Sequence, residues 1–178
     1  MKDNNFNYFI QQTDRLYFRK LQASDIPLWS DFFRDNEMIE FVGIDTSKEP
    51  LDLSKEWIEK QFERYQNDGF GHLAIIEKKT NRFLGVAGLI VREIDSIKEF
   101  EVSYLLKKEF WGKGYATEIT KSLIDYSREN KVSKRLISLI HKENLNSIRV
   151  AKKNNMTIVG EIINYLDMDV FIFAVEII

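Results

Sequence analysis

Apolar and polar positions alternate over Leu16-Tyr17-Phe18-Arg19-Lys20-Leu21, the period of a half-buried strand. Ser24-Asp25-Ile26-Pro27 then supplies an N-cap, with proline near a first turn, for a helix running towards Asn36. A second helix is predicted over 53–67, where Trp57, Ile58, Phe62 and Tyr65 share a face and Asp68-Gly69 ends it. The runs 72–78 and 83–91 are apolar and β-rich, and Lys79-Thr80-Asn81-Arg82 between them reads as a hairpin turn. Residues 100–106 form a third strand of that series. A helix over 115–130 follows, its buried stripe made by Ile119, Leu123 and Ile124. Strand 135–140, helix 145–153 and strands 157–163 and 170–178 complete an order β-α-α-β-β-β-α-β-α-β-β. The strand–helix–strand step from Phe100 to Ile140 requires a right-handed parallel crossover, whereas the hairpins around it are antiparallel. The predicted fold class is therefore α+β: about seven strands in a mixed, mostly antiparallel sheet, with about four helices.

The 178 residues fall in the range of one domain, expected to span 1–178, and two prolines with eight glycines form no linker that would divide them. With 44% hydrophobic and 30% charged residues, the chain buries a core and is not globally disordered. Cysteine is absent, which excludes disulfides, thiolate metal sites and a cysteine acyl intermediate, and fits a reducing cytoplasm. The opening MKDNNFNYFIQQTDRL has no continuous apolar run, and no later stretch reaches the length of a membrane span, so neither export nor a membrane is expected. His72 and His141 lack partners at metal spacing and read as structural or surface residues; no metal is expected.

The net charge of −2 conceals a basic window. From Lys107 to Lys153 there are twelve basic and five acidic residues, a net +7. Such a window suits a polyanionic ligand or reflects solvated helix faces. Its cations fall on two helices and a turn with no aromatic ladder, and the whole chain is acidic, so nucleic acid is not an expected partner.

Within that window lies Phe110-Trp111-Gly112-Lys113-Gly114-Tyr115-Ala116-Thr117-Glu118, between a strand and a helix. Two glycines one residue apart let the backbone turn so that consecutive amides converge at the positive end of a helix dipole, an anion cradle. The alternative is a plain strand-to-helix turn that needs glycine for its dihedrals. The spacing matches neither a P-loop nor a dinucleotide turn, because Thr117 stands where the latter has its third glycine.

Glu101-Val102-Ser103-Tyr104-Leu105-Leu106, the WGKGYATE string and Asn144-x-x-Ser147 together resemble the acetyl-CoA-binding core of the GNAT superfamily of N-acetyltransferases, most closely its ribosomal-protein N-terminal (Rim-type) branch. The resemblance runs from Asp14-Arg15-Leu16-Tyr17-Phe18-Arg19 to the closing strands. It implies that the pyrophosphate of acetyl-CoA rests on Gly112, Lys113, Gly114, Tyr115 and Ala116. It implies a pantetheine arm along Tyr104, Leu105 and Leu106, where a bulge splays the fourth and fifth strands, with Asn144 touching that arm. Glu101 then stands near the acceptor amine and Ser147 near the thioester sulfur, as catalytic residues. Departures are Lys108, Glu109 and Asn155-Met156, the last replacing a Gly-Phe pair at a helix end where asparagine tolerates the left-handed conformation.

Taken alone, Glu101 is a base or a solvent-facing carboxylate, Ser147 a helix-surface hydroxyl or a proton donor, and Asn144 a helix cap, a ligand contact, or both. Trp29, Phe32, Phe33 and Phe41 read as core, with the loop 41–50 beside an acceptor pocket. The implied reaction is direct attack of a primary amine on acetyl-CoA in a ternary complex. An α-amine of pKa about 7.7–8.0 loses its proton at pH 7 for roughly 1 kcal/mol, a lysine amine near 10.4 for over 4, so a protein N-terminus is the favoured acceptor. A small amine such as an antibiotic or polyamine, or a non-catalytic coenzyme A-binding regulator, are the alternatives, and the protein is expected as a monomer or homodimer.

Overall fold

The structure, a computed structural model, describes residues 6–34, 37–45 and 47–177. A short strand β1 (Gln11–Gln12) precedes β2 (Leu16–Arg19), helices α1 (Ile26–Ser30) and α2 (Pro50–Asn67), and the meander β3 (Gly71–Glu77), β4 (Phe83–Ile94) and β5 (Ile97–Leu106). Helix α3 (Tyr115–Glu129), β6 (Arg135–His141), α4 (Leu145–Lys153) and the hairpin β7 (Thr157–Tyr165), β8 (Met168–Glu176) follow. One eight-stranded sheet runs β1-β2-β3-β4-β5-β6-β8-β7, antiparallel except between β5 and β6.

Alternation along the strands divides the core in two. Ala74, Ile76 and Val86 point to one face, where α1 and α2 cover them with Trp29 and Ile58; Leu73, Ile75 and Leu84 point to the other, covered by Ile119 and Leu123 of α3. Both Ile58 and Leu123 are fully buried, and burial of such a side chain is worth about 1.5–3 kcal/mol, which is what holds each amphipathic helix on its face. Helix α4 lays Ile148 and Ala151 on Ile140 and Phe173 of β6 and β8.

Four departures from the sequence reading have physical causes. An eighth strand exists because Gln11 and Gln12 pair with Phe18 and Tyr17, a stretch too short to show alternation. The first helix stops at Ser30 and tightens into a 3-10 turn over Asp31–Phe33; Asn36, its expected end, lies outside the described residues. A 3-10 turn eclipses residues three apart, and Trp29 accordingly stacks on Phe32 with ring centroids 4.3 Å apart. The β4–β5 hairpin extends to Ile94↔Ile97 through a two-residue turn at Asp95 and Ser96, both at positive φ. The last strand ends at Glu176, and Ile178 lies outside the described residues.

A fifth departure concerns the split. β5 and β6 are paired at Glu101↔Ile137, and the Ser138 hydroxyl donates to the Val102 carbonyl at 2.7 Å; no register pair follows among the described residues. No bulge interrupts β5, which stays in register with β4 as far as Gly85↔Leu106, while β6 keeps β8 from Arg135↔Glu176 to His141↔Val170. Each strand remains with its antiparallel partner, so the sheet opens along its thinnest seam without a bulge.

Candidate active site

The glycine turn leads from the open end of β5 into α3. Gly112 and Gly114 have φ of +72° and +80°, a region that costs an L-residue roughly 1–2 kcal/mol. Gly114 is the N-cap of α3 and has no side chain to satisfy the first amides, which stay free for an anion at the positive end of the helix dipole. The turn is braced from the connection between β1 and β2. The Arg15 guanidinium donates to the Lys113 carbonyl (2.9 Å) and to Glu118 Oε2 (2.6 Å), and the Thr13 hydroxyl donates to Glu118 Oε1 (2.5 Å). Burial pushes the Glu118 carboxyl up, but the bonds from Thr13 and Arg15 outweigh it and hold the group below the ordinary carboxylate value. Arg15 also covers the Tyr115 ring at 4.3 Å, and the Tyr115 hydroxyl donates to Glu77.

From this turn a groove of about 410 Å³ runs to the split. Gly112, Gly114, Tyr115, Ala116 and Thr117 line one wall, Tyr104, Leu105 and Leu106 the floor, and Asn144, Ser147, Arg149 and Lys153 of α4 the opposite wall. The Trp111 indole closes one end by donating to the Leu106 carbonyl at 2.7 Å. Asn144 caps α4, its Oδ1 accepting from the Ser147 backbone amide at 3.0 Å, which fixes the Asn144 side chain and the first turn that carries Ser147 at the split. Asn155, past the far end of α4, has φ +58°, the left-handed conformation that asparagine accommodates.

A second cavity, about 310 Å³, opens on the α2 face. Its walls carry Trp57, Lys60, Gln61 and Arg64 from α2, His72 from β3, Arg92 from β4, Glu101 from β5, His141 from β6 and Tyr165 from β7. Phe41, Val42, Tyr104, Leu105, Asn144 and Ser147 line both spaces, so groove and cavity meet at the Ser147 hydroxyl. Beside it lies the Tyr104 hydroxyl, buried and pushed up to about 12 by that burial, against a smaller lowering from the neighbouring Ser147 hydroxyl. Glu101 is 5% exposed and receives the Arg92 Nε bond at Oε2 (2.6 Å).

Of the residues singled out in the sequence, Tyr104, Leu105, Leu106, Gly112, Gly114, Tyr115, Ala116, Asn144 and Ser147 come together on the groove, and Glu101 lies in the adjoining cavity. Lys113 does not line the groove: its ammonium lies over the Phe110 ring at 5.6 Å. The groove's cations are instead Arg149 and Lys153, while Lys121 and Arg128 of the same basic window pair with Asp125 on the α3 surface. Trp29, Phe32 and Phe33 are core, but Phe41 belongs to the walls of the site. His72 is buried rather than on the surface and is stacked on Trp57. Sequence reasoning missed the Arg15 brace, Thr117, Arg149 and Lys153, and the Arg64–His72–Arg92 wall; only the spacing of Arg149 and Lys153 on one turn-repeat of α4 carried a signal.

Among the described residues, no cluster of histidine and acidic side chains is placed to hold a metal ion, and no helix is long and apolar enough to cross a membrane. The model of a family described as an acetyltransferase (GNAT) domain matches residues 15–157. Protein YkkB of Bacillus subtilis (strain 168), itself uncharacterised, is 27% identical over 146 residues, covering 81% of this chain and 83% of that protein. The fold is shared with the crystal structure of an acetyltransferase from Agrobacterium tumefaciens (TM-score 0.78, 23% identity, 94% of each chain). It is shared equally with RimL, a ribosomal L7/L12 α-N-protein acetyltransferase (TM-score 0.77, 19% identity, 94% of this chain and 93% of that one). A family match that spans the glycine turn, the split seam and α4 makes this chain a member of the GNAT family, an acetyl-CoA-dependent N-acetyltransferase.

Proposed function

We propose that the chain works as one domain that transfers the acetyl group of acetyl-CoA to the α-amine of a protein or peptide N-terminus by direct attack in a ternary complex. The observation that carries this reading is the meeting of two spaces at Ser147: a groove that begins on free helix amides, and a separate cavity that holds Glu101.

The residues fit the donor. Amides from Gly112 to Ala116, with Arg149 and Lys153 opposite, suit the phosphates; Tyr104 to Leu106 offer an unpaired strand edge to the pantetheine amides, and Asn144 stands over that edge. The acceptor amine enters from the cavity. Arg92 occupies Glu101 Oε2, and no hydrogen bond among the described residues reaches Oε1, which is left to draw in the amine. In the transfer the amine nitrogen forms a bond to the thioester carbonyl carbon, the C–S bond breaks, the nitrogen gives up its proton, and the departing thiolate takes one. Ser147, with the Tyr104 hydroxyl behind it, supplies the proton at sulfur. An α-amine suits this machinery because roughly 1 kcal/mol frees its electron pair near neutral pH, against more than 4 for a lysine amine.

The test is release of free coenzyme A thiol from acetyl-CoA with matched peptides that carry a free or a blocked N-terminus, each with and without an internal lysine. Acetylation confined to the free N-terminus is expected, located by mass spectrometry. Modification of lysine in the blocked peptide at an equal rate would overturn the assignment of the acceptor.

A further inference from the structure

The acceptor cavity is electrically lopsided. Lys60, Arg64 and Arg92 face one carboxylate, Glu101, and Arg92 is already bound to it at 2.6 Å. Arg64, half-buried on α2, has a single side-chain hydrogen bond among the described residues, a long one of 3.3 Å to the neutral Gln61 Oε1, and no carboxylate within ion-pair distance. That Gln61 oxygen is shared: it also accepts the His72 backbone amide at 2.9 Å. Desolvation pulls the Arg64 guanidinium below its ordinary value, and the neighbouring Arg92 charge adds to the effect. A guanidinium partly withdrawn from water and not neutralised is costly, and that cost is relieved when an anion arrives.

His72 makes the same point independently. The residue is 3% exposed, its ring lies parallel to Trp57 at 5.6 Å, and neither ring nitrogen has a hydrogen-bond partner among the described residues. Buried polar atoms are rarely left in this state, and here they belong to a cavity wall. Burial, then the charges of Arg64 and Arg92, hold the ring well below its ordinary value, so it is neutral and offers one N–H donor and one acceptor. A substrate group that accepts from both Arg64 and His72 would satisfy the guanidinium and a ring nitrogen together.

We propose that the acceptor carries a carboxylate close to its nucleophilic amine, the amine going to Glu101 and the carboxylate to Arg64 and His72. The inference rests on the reading of this cavity as the acceptor site. A positive wall disfavours polyamines and other polycations and eases loss of the amine proton, since nearby cations destabilise an ammonium. Two sources present that chemistry: the α-carboxylate of a free amino acid, or an acidic side chain at the start of a peptide.

The experiment measures kcat/KM for acetyl transfer to C-terminally amidated peptides that begin with Asp-, Asn- or Lys-containing dipeptides, to free aspartate and its diamide, and to spermidine. For the parent, the acidic member of each isosteric pair should win by about 10- to 100-fold, the range of a hydrogen bond to a charged group. The source is whichever of the peptide and amino-acid arms shows the discrimination. Arg64→Gln should remove most of it, and a coenzyme A affinity and a circular dichroism spectrum like the parent's certify that the variant is folded. Arg64→Glu should turn the preference towards the lysine peptide. Equal rates for acidic, neutral and basic acceptors, unaltered by Arg64→Gln, would overturn the anion site and leave the N-acetyltransferase reading intact. Acetylation of none of the panel by a protein that binds acetyl-CoA in calorimetry would overturn both.

Discussion

Placing a side chain at Gly114 tests the donor site through the backbone. An added Cβ there meets nothing nearer than Arg15 Nη2 at 3.5 Å, and at Gly112 nothing within 4 Å, so neither substitution creates a clash. The penalty is conformational: φ at Gly114 is +80°, where an L-residue other than asparagine costs about 1–2 kcal/mol. If the turn holds its shape, the strain is common to the free and bound protein and surfaces only as lost stability, about 2–8 °C of Tm for a chain of this size. If the turn relaxes, the α3 amides lose their aim and the same 1–2 kcal/mol comes out of coenzyme A affinity, up to about 30-fold. Gly114→Ala reports strain, Gly114→Asn nearly removes it, and Gly114→Asp adds a charge where phosphates are expected. That charge costs a further ~1 kcal/mol at 4 Å in water and more as the groove excludes solvent. Calorimetry with coenzyme A should therefore rank the affinities parent, Asn, Ala, Asp. The Asp increment alone should shrink near 1 M salt, where the screening length is about 3 Å. An Asp variant that binds coenzyme A like the parent would show that the phosphates do not lie on this turn.

Glu101→Gln and Ser147→Ala should each lower kcat about 100-fold or more with coenzyme A affinity unchanged, and a rise in pH should partly restore only the Glu101 variant, because only its acceptor needs help shedding a proton. Equal recovery of both across pH 6–9, a range bracketing the roughly 7.7–8.0 α-amine value, would remove the distinction between the two roles. Arg15→Ala should loosen the turn through the Lys113 carbonyl and Glu118, weakening coenzyme A binding about tenfold while kcat at saturation stays within about twofold; a normal affinity would make the brace purely structural. His72 has a depressed value in the folded state, so it contributes stability above its unfolded value of about 6.5, and that stability is lost as pH falls below it, when the unfolded chain gains a proton the buried ring refuses. Tm should fall with acidification from pH 6.5 for the parent and fall less for His72→Phe, read by calorimetry in matched buffers; parallel slopes would mean that the ring is protonated in the fold.

The groove was legible in the sequence because its determinants are local. Gly112 to Glu118 form one string whose glycines state a backbone conformation, and Asn144-x-x-Ser147 states a cap and its first turn. The rest of the cavity wall was not: Glu101 on β5 was carried by the resemblance, but Arg64, His72 and Arg92 come from α2, β3 and β4, and nothing in a one-dimensional pattern brings these elements to one cavity. The charges from Arg92 to Glu99 look like a loop. They are strand because β4 and β5 continue to a tight turn whose Asp95 and Ser96 accept positive φ, and that register sets Arg92 opposite Glu99 and within reach of Glu101. Partners then divide the charges: Glu99 and Glu101 are equally buried on one face of β5, but Glu99 is taken by Arg135 of β6 whereas Glu101 lies on the cavity wall.

The position of Glu101 on its strand ties the split to the proposed transfer. At this residue β5 is held on both sides, by Ile90 of β4 and by Ile137 of β6, and one residue further on the Ser138 hydroxyl takes the Val102 carbonyl. From Ser103 onward no register pair with β6 is found among the described residues, so strand β5 passes from a residue held on both sides to an open edge within two residues. In the proposed transfer the carboxylate is thus held where the amine would be oriented, and the backbone is unpaired where the donor arm would seek hydrogen bonds. Had β6 followed β5 as far as Leu106, no groove would run between β5 and α4; had the seam opened before Glu101, the carboxylate would lose the strand that aims it. A single pair at Glu101 and Ile137 satisfies both demands, because an acyl transfer needs donor and acceptor fixed to within a few tenths of an ångström on either side of one reacting carbon.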